Sequence, residues 1–199
     1  MIKIAVTGVI GSGKTTISKI FKEMGYDVID ADEISRSLTK KGSSVYEKII
    51  KEFGKEILKG NGEINRKILA DIVFKDKKKK EILESKIHPE VKKICTDKAN
   101  ELEKAGRDIV VFDIPLLFEA GMESMVDYVI LAYADEDTIY ERVKKRDNMS
   151  REEFYARLKN QIPLEEKIKK SHFVIDTRKN LEAIRFDLNE IVKTLFSIL

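Results

Sequence analysis

Five short apolar runs, separated by longer segments of helical spacing, dominate the hydrophobic pattern of the chain. The runs are rich in β-branched residues, which favour strands, and they lie at positions 2–6, 27–30, 108–113, 127–132 and 173–176. After the first run, apolar residues recur at helical spacing until Gly25 ends them. Strands that alternate with helices are typical of a parallel sheet. We therefore predict an α/β fold with a parallel five-stranded sheet and helices on both faces.

The interval between the second and third strands, 31–107, is far longer than one crossover helix requires. It holds three stretches with apolar residues at helical spacing, and we expect the third to begin at Pro89 and to end at Gly106. We interpret residues 38–105 as a helical lobe inserted into the sheet domain, which is the natural place for an acceptor substrate. The core is then formed by residues 1–37, 106–141 and 171–199.

A second helical excursion separates the fourth strand from the fifth. Asp135 is a candidate N-cap for its first helix, and the sequence from Ser150 to Glu153 fits a capping box for the next. Pro163 opens a further short segment, and Asn180 begins an amphipathic C-terminal helix. We predict that residues 142–170 form a helical lid.

The first strand is followed by residues that match the pattern G-x-x-x-x-G-K-[ST], from Gly8 to Thr15, between a strand and a helix. Glycines let successive backbone N–H groups turn toward phosphate oxygens, and the start of a helix adds its positive dipole end. Lys14 can reach the β- and γ-phosphates, and the Thr15 hydroxyl can ligate Mg²⁺. A glycine-rich turn with a chance lysine is the alternative. The flanking strand and helix favour a P-loop that binds a nucleoside triphosphate.

Loops of this kind serve GTPase switches, motor ATPases and small-molecule kinases. A GTPase is expected to carry Asn-Lys-x-Asp near the fourth strand, where this chain has AYADEDT instead. A large ATPase usually needs a longer chain than 199 residues. A small kinase needs an acceptor pocket, a base near the acceptor hydroxyl and mobile cations, and the chain offers candidates for each.

Two carboxylates, Asp30 and Asp32, close the second strand in the sequence VIDADE. The carboxyl ends of parallel strands are where ligands bind, so we expect these acids beside the phosphate loop if the first and second strands adjoin. One acid can then accept a hydroxyl proton while the other holds water or a metal ion. The alternative is a helix N-cap followed by a solvated acid.

Candidates for stabilising a transferred phosphoryl group follow later in the chain. Arg142 and Arg146 lie one helical turn apart, and Arg157 is on the next predicted helix. On a segment that folds over the site they would stabilise the developing charge, whereas surface ion pairs are the alternative for each of them. Asp113 ends the third strand. It resembles the acid that assists Mg²⁺ through water, or it is an ordinary strand-end aspartate.

Charged residues make up 37% of the chain, but the formal net charge is only +3 and acids and bases are interleaved. We therefore expect no nucleic-acid partner and interpret the lysines at 77–80 as a solvated helix face. The single cysteine, Cys95, excludes an intramolecular disulfide, favours a reducing compartment and lies among apolar residues at helical spacing. Neither a membrane span nor a signal peptide is recognisable. We expect a cytoplasmic protein without a membrane partner, and a monomer, with an oligomer as the alternative.

Beyond these motifs, an ordered set of segments resembles the dephospho-coenzyme A kinase family over nearly the whole chain. The segments are TGVIGSGKTT, DVIDADEISR, FGKEILKGNGEINRKILADIVF, LESKIHPEV, VFDIPLLFEAG and RVKKRDNMSREEFYARLKNQIPLEEK. The resemblance implies a P-loop NTPase-type fold and transfer of the γ-phosphate of ATP, with Mg²⁺, to the ribose 3′-hydroxyl of dephospho-CoA. The products would be coenzyme A and ADP. A P-loop kinase for another small hydroxyl or nucleoside monophosphate acceptor and a non-catalytic nucleotide-sensing module are the alternatives.

The motif and the resemblance together assign roles to individual residues. Asp32 matches the family's proposed base, and we expect it to act in catalysis with Lys14 and Arg142. The expected nucleotide-binding residues are Gly8, Gly11, Ser12, Gly13, Lys14, Thr15, Thr16, Arg142 and Arg146. The expected substrate-binding residues are Asp32, Arg66, His88, Pro89, Arg157 and Gln161, and the metal candidates are Thr15 and Asp113. For His88, a capping or packing role is the alternative.

One segment departs from the family pattern. After the fifth strand the family usually carries asparagine with glycine or serine in a loop near adenine, whereas this chain has VIDTRKN. We therefore expect Thr177 and Arg178 to change how adenine is held.

Overall fold

The computed structural model describes residues 1–197, in which five strands form one sheet. The strands are β1 (Ile2–Thr7), β2 (Asp27–Asp30), β3 (Ile109–Asp113), β4 (Tyr128–Tyr133) and β5 (Phe173–Asp176). Their spatial order is β2-β3-β1-β4-β5. The pairings of β1 with β3, of β1 with β4 and of β4 with β5 are parallel. The predicted α/β fold with a five-stranded parallel sheet is therefore confirmed.

The order of the strands in space differs from their order along the chain. Because β3 lies between β1 and β2, the premise that the first and second strands adjoin is wrong. The physical reason is burial: every residue of β3 is buried, whereas β2 has one buried residue among its four. A strand buried on both faces belongs inside a parallel sheet, and the partly exposed β2 lies at its edge. The residue of β3 that pairs with Val6 of β1 is Asp113.

Nine α-helices occur within residues 1–197. They are α1 (Lys14–Glu23), α2 (Ala31–Leu38), α3 (Ser44–Phe53), α4 (Arg66–Lys75), α5 (Lys77–Lys104), α6 (Glu136–Asp147), α7 (Arg151–Leu158), α8 (Leu164–Lys170) and α9 (Leu181–Phe196). The predicted caps are confirmed: Asp135 caps α6, Asn180 caps α9, and Ser150 with Glu153 forms a capping box at α7.

The chain divides into two compact units, one made of residues 1–29 with the described residues from 101 onward, the other of residues 30–100. The core of the first unit joins the sheet to α1 and α9. Ile4 of β1, Phe21 of α1 and Leu188 of α9 are all fully buried in one apolar cluster. Burying apolar surface stabilises the folded state by about 25 cal/mol for each Å². This packing holds β1, the strand that leads into the phosphate loop, in place.

The unit of residues 30–100 has a core of its own. Val45 and Ile49 of α3 are fully buried in a cluster that also contains Leu69 of α4. A short antiparallel bridge pairs Leu58 with Ile64 between these helices. The regular secondary structure of the unit is therefore helical apart from this bridge and from the last residue of β2.

The prediction that a helix begins at Pro89 is wrong, because α5 runs without a break from Lys77 to Lys104. A proline inside a helix loses one backbone hydrogen bond and costs ~3 kcal/mol or more. Burial on both sides of it offsets this cost. Ile87 packs against the core of the unit, and Val91 and Cys95 are buried one and two turns further on.

Cys95 is fully buried, as the apolar spacing around it predicts, and burial raises the pKa of its thiol to about 11. Such a thiol is inert. Of the lysines at 77–80, three are exposed and Lys80 is half-buried, which fits a solvated helix face. Among residues 1–197, the structure contains no helix with the length and apolarity needed to cross a bilayer.

Candidate active site

The loop between β1 and α1 is shaped for close approach of its backbone to a ligand. Gly11 and Gly13 have φ values of +78° and +89°, which side chains rarely adopt. A Cβ on Gly13 would also lie 2.7 Å from the hydroxyl oxygen of Thr177. Within residues 1–197, no side chain caps the start of α1, and its first turn contains no acid. The N–H groups and the positive dipole end of α1 are therefore suited to bind an anion.

The lysine of this loop forms an ion pair with the carboxylate that ends β3. The two partners are Lys14 and Asp113, whose side chains are 16% and 8% exposed. The register of the sheet explains the contact, because Asp113 lies opposite Val6, just before the loop begins. A single charge at this depth would be costly, and the pairing offsets the loss of hydration of both groups. The Thr15 hydroxyl, next in the chain, belongs to an exposed residue.

Thr177, directly after β5, connects the phosphate loop to α6. Its hydroxyl donates to the carbonyl oxygen of Ser12, 2.6 Å away, and accepts from Nη1 of Arg142 at 2.8 Å. Nη2 of Arg142 donates to the carbonyl oxygen of Thr177, also at 2.8 Å. Because Thr177 is only 6% exposed, these bonds are shielded from water. They fix the predicted catalytic arginine against the loop.

The next residue, Arg178, joins the ends of β4 and β5. Its guanidinium pairs with Asp176 at 2.6 Å and with Asp135 at 2.9 Å. The hydrogen bond from Arg178 is the main cause that lowers the pKa of Asp176 to about 2. For Asp135 the backbone N–H of Thr138 is the main cause and Arg178 the second, and together they lower its pKa to about 2. Arg178 is thus engaged by two carboxylates on the surface.

The turn between α7 and α8 is anchored twice. The carbonyl oxygen of the Gln161 side chain accepts a hydrogen bond of 3.3 Å from the backbone N–H of Ile10 in the phosphate loop. The next residue, Ile162, donates its backbone N–H to Oε1 of Glu119 at 2.9 Å. Gln161, a predicted substrate-binding residue, therefore contacts the phosphate loop directly.

Glu119 also binds the ammonium group of Lys167, which is completely buried in α8. The distance from the Lys167 Nζ to Glu119 Oε1 is 2.7 Å, and the Glu119 side chain is 16% exposed. The other carboxylate oxygen of Glu119 is buried and has no hydrogen-bond partner among the described residues. This buried ion pair ties α8 to the segment that follows β3.

The other two arginines that the sequence predicts near the phosphates, Arg146 and Arg157, lie at the surface. Arg146 is exposed and forms two hydrogen bonds with its neighbour Asp147, 2.9 and 2.7 Å long. Arg157 is exposed on α7. The same helix buries Phe154 in a cluster with Val9 of the phosphate loop. The predicted lid segment, residues 142–170, thus contacts the loop through an apolar cluster as well as through Gln161.

The other predicted residues belong to the unit of residues 30–100. Asp30 caps α2 through a hydrogen bond of 2.9 Å from the backbone N–H of Glu33, and Asp32 is exposed in the first turn of this helix. Arg66 is exposed in the first turn of α4. His88 is half-buried in α5 beside the exposed Pro89, and burial lowers its pKa.

Sequence reasoning missed the roles of Glu119 and Lys167, and it did not predict the hydrogen bonds of Thr177 with Ser12 and Arg142. Both charged residues lie inside segments that resemble the family, FEAG and PLEEK, but a lysine and a glutamate near loops are commonly solvated. Their separation of 48 positions conceals the pair. For Thr177 the usable signal was its position at the carboxyl end of a strand.

A central parallel strand that runs into this phosphate loop, with its lysine paired to the end of the neighbouring strand, defines a P-loop NTPase-like protein. Comparison with known proteins gives the family. The sequence model of the dephospho-CoA kinase family matches residues 2–183. A curated dephospho-CoA kinase from Carboxydothermus hydrogenoformans is 44% identical over 182 residues, which cover 92% of this chain and 88% of the relative.

Solved structures agree in fold. A protein from Thermus thermophilus has a TM-score of 0.84 and 33% identity, and the match covers 98% of this chain and 97% of that one. A dephospho-CoA kinase from Campylobacter jejuni has a TM-score of 0.71 and 32% identity, with coverages of 97% and 96%. The chain belongs to the dephospho-CoA kinase family.

Proposed function

We propose that this protein transfers the γ-phosphate of ATP to the 3′-hydroxyl of the ribose of dephospho-CoA, giving coenzyme A and ADP. Membership of the dephospho-CoA kinase family supports the reaction. The observation that carries it is the pairing of Lys14 with Asp113 at the end of the phosphate loop, since this places a phosphate-binding cation and a carboxylate at one edge of the sheet.

The donor is held by the loop and by the start of α1. Backbone N–H groups from Gly8 to Thr16 surround the phosphates, with Gly11, Ser12 and Gly13 allowing the close approach. Lys14 exchanges Asp113 for the β- and γ-phosphate oxygens, which are stronger anionic partners. Arg142, already fixed against the loop through Thr177, stabilises charge on the transferred group.

The residues near the loop fit a magnesium ion that is shared with the nucleotide. Among the described residues, no group of three or more His, Cys, Asp or Glu side chains is arranged to hold a metal by itself. Mg²⁺ commonly uses one or two protein oxygens together with substrate phosphates and water. The Thr15 hydroxyl would supply a direct ligand, and Asp113 would accept a hydrogen bond from a ligated water. Bound in this way, Mg²⁺ would neutralise charge that develops between the β- and γ-phosphates.

The acceptor is activated by Asp32. Its carboxylate takes the proton of the 3′-hydroxyl, the oxygen attacks the γ-phosphorus, and the bond to the β-phosphate oxygen breaks so that ADP leaves. Arg66, His88 and Pro89 hold the rest of the acceptor in the helical unit. The lowered pKa of His88 keeps its imidazole neutral at pH 7, so it can donate one hydrogen bond and accept another.

The lid completes the site. Gln161 already bonds to the phosphate loop, and Arg146 and Arg157 approach the phosphates when the lid closes over them and excludes water. We place the reaction in the cytoplasm, because the only cysteine is a buried thiol and needs no oxidising compartment.

The test is direct. Purified protein is incubated with Mg-ATP and dephospho-CoA, and mass spectrometry follows coenzyme A and ADP, which should appear in equal amounts. The Lys14→Ala variant is the control for contaminating kinases and should form neither product. A panel of nucleoside monophosphates and small alcohols distinguishes a kinase with another acceptor. Absence of coenzyme A while ATP binds to the protein would contradict the proposal.

A further inference from the structure

A basic pocket of about 610 Å³ lies within the unit of residues 30–100. One wall is the segment that follows α2, and the other is the turn around residue 62 with the first residues of α4. Its lining consists of Thr39, Lys40, Lys41, Lys59, Glu63, Ile64, Asn65, Arg66 and Lys67. Ligand pockets of about 300–1,000 Å³ are usual for small molecules, so the cavity has the size of a binding site.

The backbone around this pocket is held by contacts that do not depend on a ligand. Leu58 pairs with Ile64, and the hydroxyl of Tyr46 donates to the carbonyl oxygen of Gly62. The Asn65 side chain caps α4 by accepting a hydrogen bond of 3.2 Å from the backbone N–H of Lys67. The backbone N–H of Asn65 donates to the carbonyl oxygen of Ile57 at 2.7 Å. Binding therefore does not have to order this backbone, and its conformational cost is that of fixing the lining side chains.

The pocket is much more basic than the chain as a whole. Five of its lining side chains are cationic and one, Glu63, is a carboxylate, so its formal charge is +4, against +3 for all 199 residues. One lysine, Lys59, is 3.6 Å from Glu63 and is partly neutralised by it. A concave wall of one charge sign concentrates field lines and attracts anions. By contrast, Lys77, Lys78 and Lys79 are exposed at the start of α5 and do not line this pocket.

We propose that this pocket binds the diphosphate of dephospho-CoA. The inference rests on the proposed function, because the diphosphate is the anionic part of that acceptor, whereas its ribose and pantetheine arms are uncharged. Arg66 can hold two phosphate oxygens with its planar guanidinium, and the lysines act as adjustable point charges around it. The predicted substrate-binding role of Arg66 thereby becomes one part of a diphosphate site that also uses Lys41 and Lys67.

The kinetic test removes charge from two opposite walls in the double variant Lys41→Gln/Lys67→Gln. We expect its KM for dephospho-CoA to rise about tenfold or more while kcat and the KM for ATP stay unchanged, since the lost contacts bind ground state and transition state alike. The matched control is Lys78→Gln/Lys79→Gln, two exposed lysines of the same unit. The control should behave as the wild-type protein does.

A second measurement uses the wild-type protein and avoids any effect of the substitutions on folding. Lysines are acetylated briefly with and without dephospho-CoA, and mass spectrometry locates the modified residues. Protection of Lys40, Lys41 and Lys67, with unchanged labelling of Lys78 and Lys79, supports the site. The proposal is wrong if dephospho-CoA leaves the labelling of all five lysines unchanged or lowers it equally in all five.

The outcomes separate the pocket from the reaction. If dephospho-CoA is phosphorylated but the double variant keeps the wild-type KM, the pocket assignment is wrong and the proposed function stands. If the double variant and the control raise the KM equally, the effect is one of net charge and the assignment is again wrong. If the wild-type protein does not phosphorylate dephospho-CoA, the proposed function is wrong, and so is the proposal that the pocket binds the diphosphate of this acceptor.

Discussion

Arg142 donates two hydrogen bonds of 2.8 Å to one residue, Thr177, through its Nη1 and Nη2 atoms. Because Thr177 in turn donates to the carbonyl oxygen of Ser12, an arginine of α6 is coupled to the phosphate loop by one buried threonine. The arginine is thereby held in place before any charge develops on a substrate, which is the requirement for electrostatic preorganisation.

The variant Thr177→Val tests this coupling, because it keeps the shape of the side chain and removes the hydroxyl. The carbonyl of Ser12 and one nitrogen of Arg142 lose their partner, and a buried polar group left unpaired costs about 1–3 kcal/mol. We expect a lower unfolding temperature and a several-fold higher KM for ATP. Thr177→Ser, which retains the hydroxyl, should show the smaller change in KM. Equal KM values in the valine variant and the wild type would contradict the coupling.

The variant Asp32→Asn tests the proposed base. An amide cannot accept the hydroxyl proton, and general base catalysis contributes about 10²–10⁴-fold, so we expect kcat to fall by that factor while ATP binding, followed by calorimetry, is retained. Glu33→Gln changes the same charge at the next exposed position of α2 and should keep its turnover. Undiminished turnover in the asparagine variant would remove Asp32 from this role.

The variant Lys167→Met tests the buried ion pair of α8. It leaves the Glu119 carboxylate without its counter-ion, and breaking a buried pair from one side costs about 3–5 kcal/mol. We expect the urea midpoint to fall accordingly, and the double variant Glu119→Gln/Lys167→Met to recover part of the loss. Lys169→Met, an exposed neighbour, serves as control. The interpretation is wrong if Lys167→Met and Lys169→Met unfold at the same urea concentration.

The variant Arg178→Gln tests the surface network through pH. The pKa values of Asp176 and Asp135 are held at about 2 in the folded protein, below the value of about 4 of a free aspartate. Both carboxylates therefore stabilise the fold above pH ~4, and this contribution is lost as the pH falls toward 2. Without Arg178 we expect both pKa values to rise and the acid loss of stability to become shallower.

Carboxyl NMR titration measures these two pKa values directly. The rise should be larger for Asp176, whose shift is caused mainly by Arg178, than for Asp135, which keeps the N–H of Thr138. Arg151→Gln removes an exposed arginine that pairs with Asp137 at 3.4 Å and should leave both values in place. A larger rise at Asp135 than at Asp176 would contradict this account.

Features set by neighbours along the chain were predictable. Ser150 with Glu153, Asn180 and Asp135 cap their helices through residues three positions apart, and the strands follow their apolar runs closely. Pro89 shows the limit of such reasoning. Proline locally prefers the start of a helix. Burial of Ile87, Val91 and Cys95 on both sides of Pro89 nevertheless keeps α5 continuous.

By itself, the sequence determined the phosphate loop, the parallel α/β pattern and the identity of the acids and arginines available for phosphoryl transfer, since these depend on local backbone preference and on side-chain chemistry. Only the tertiary structure decided that β3 lies beside β1, that Lys14 meets Asp113, and that Thr177 bonds to Ser12 across 165 positions. The reason is that burial and long-range pairing act on the folded chain as a whole, and strand order along the chain leaves several such pairings open.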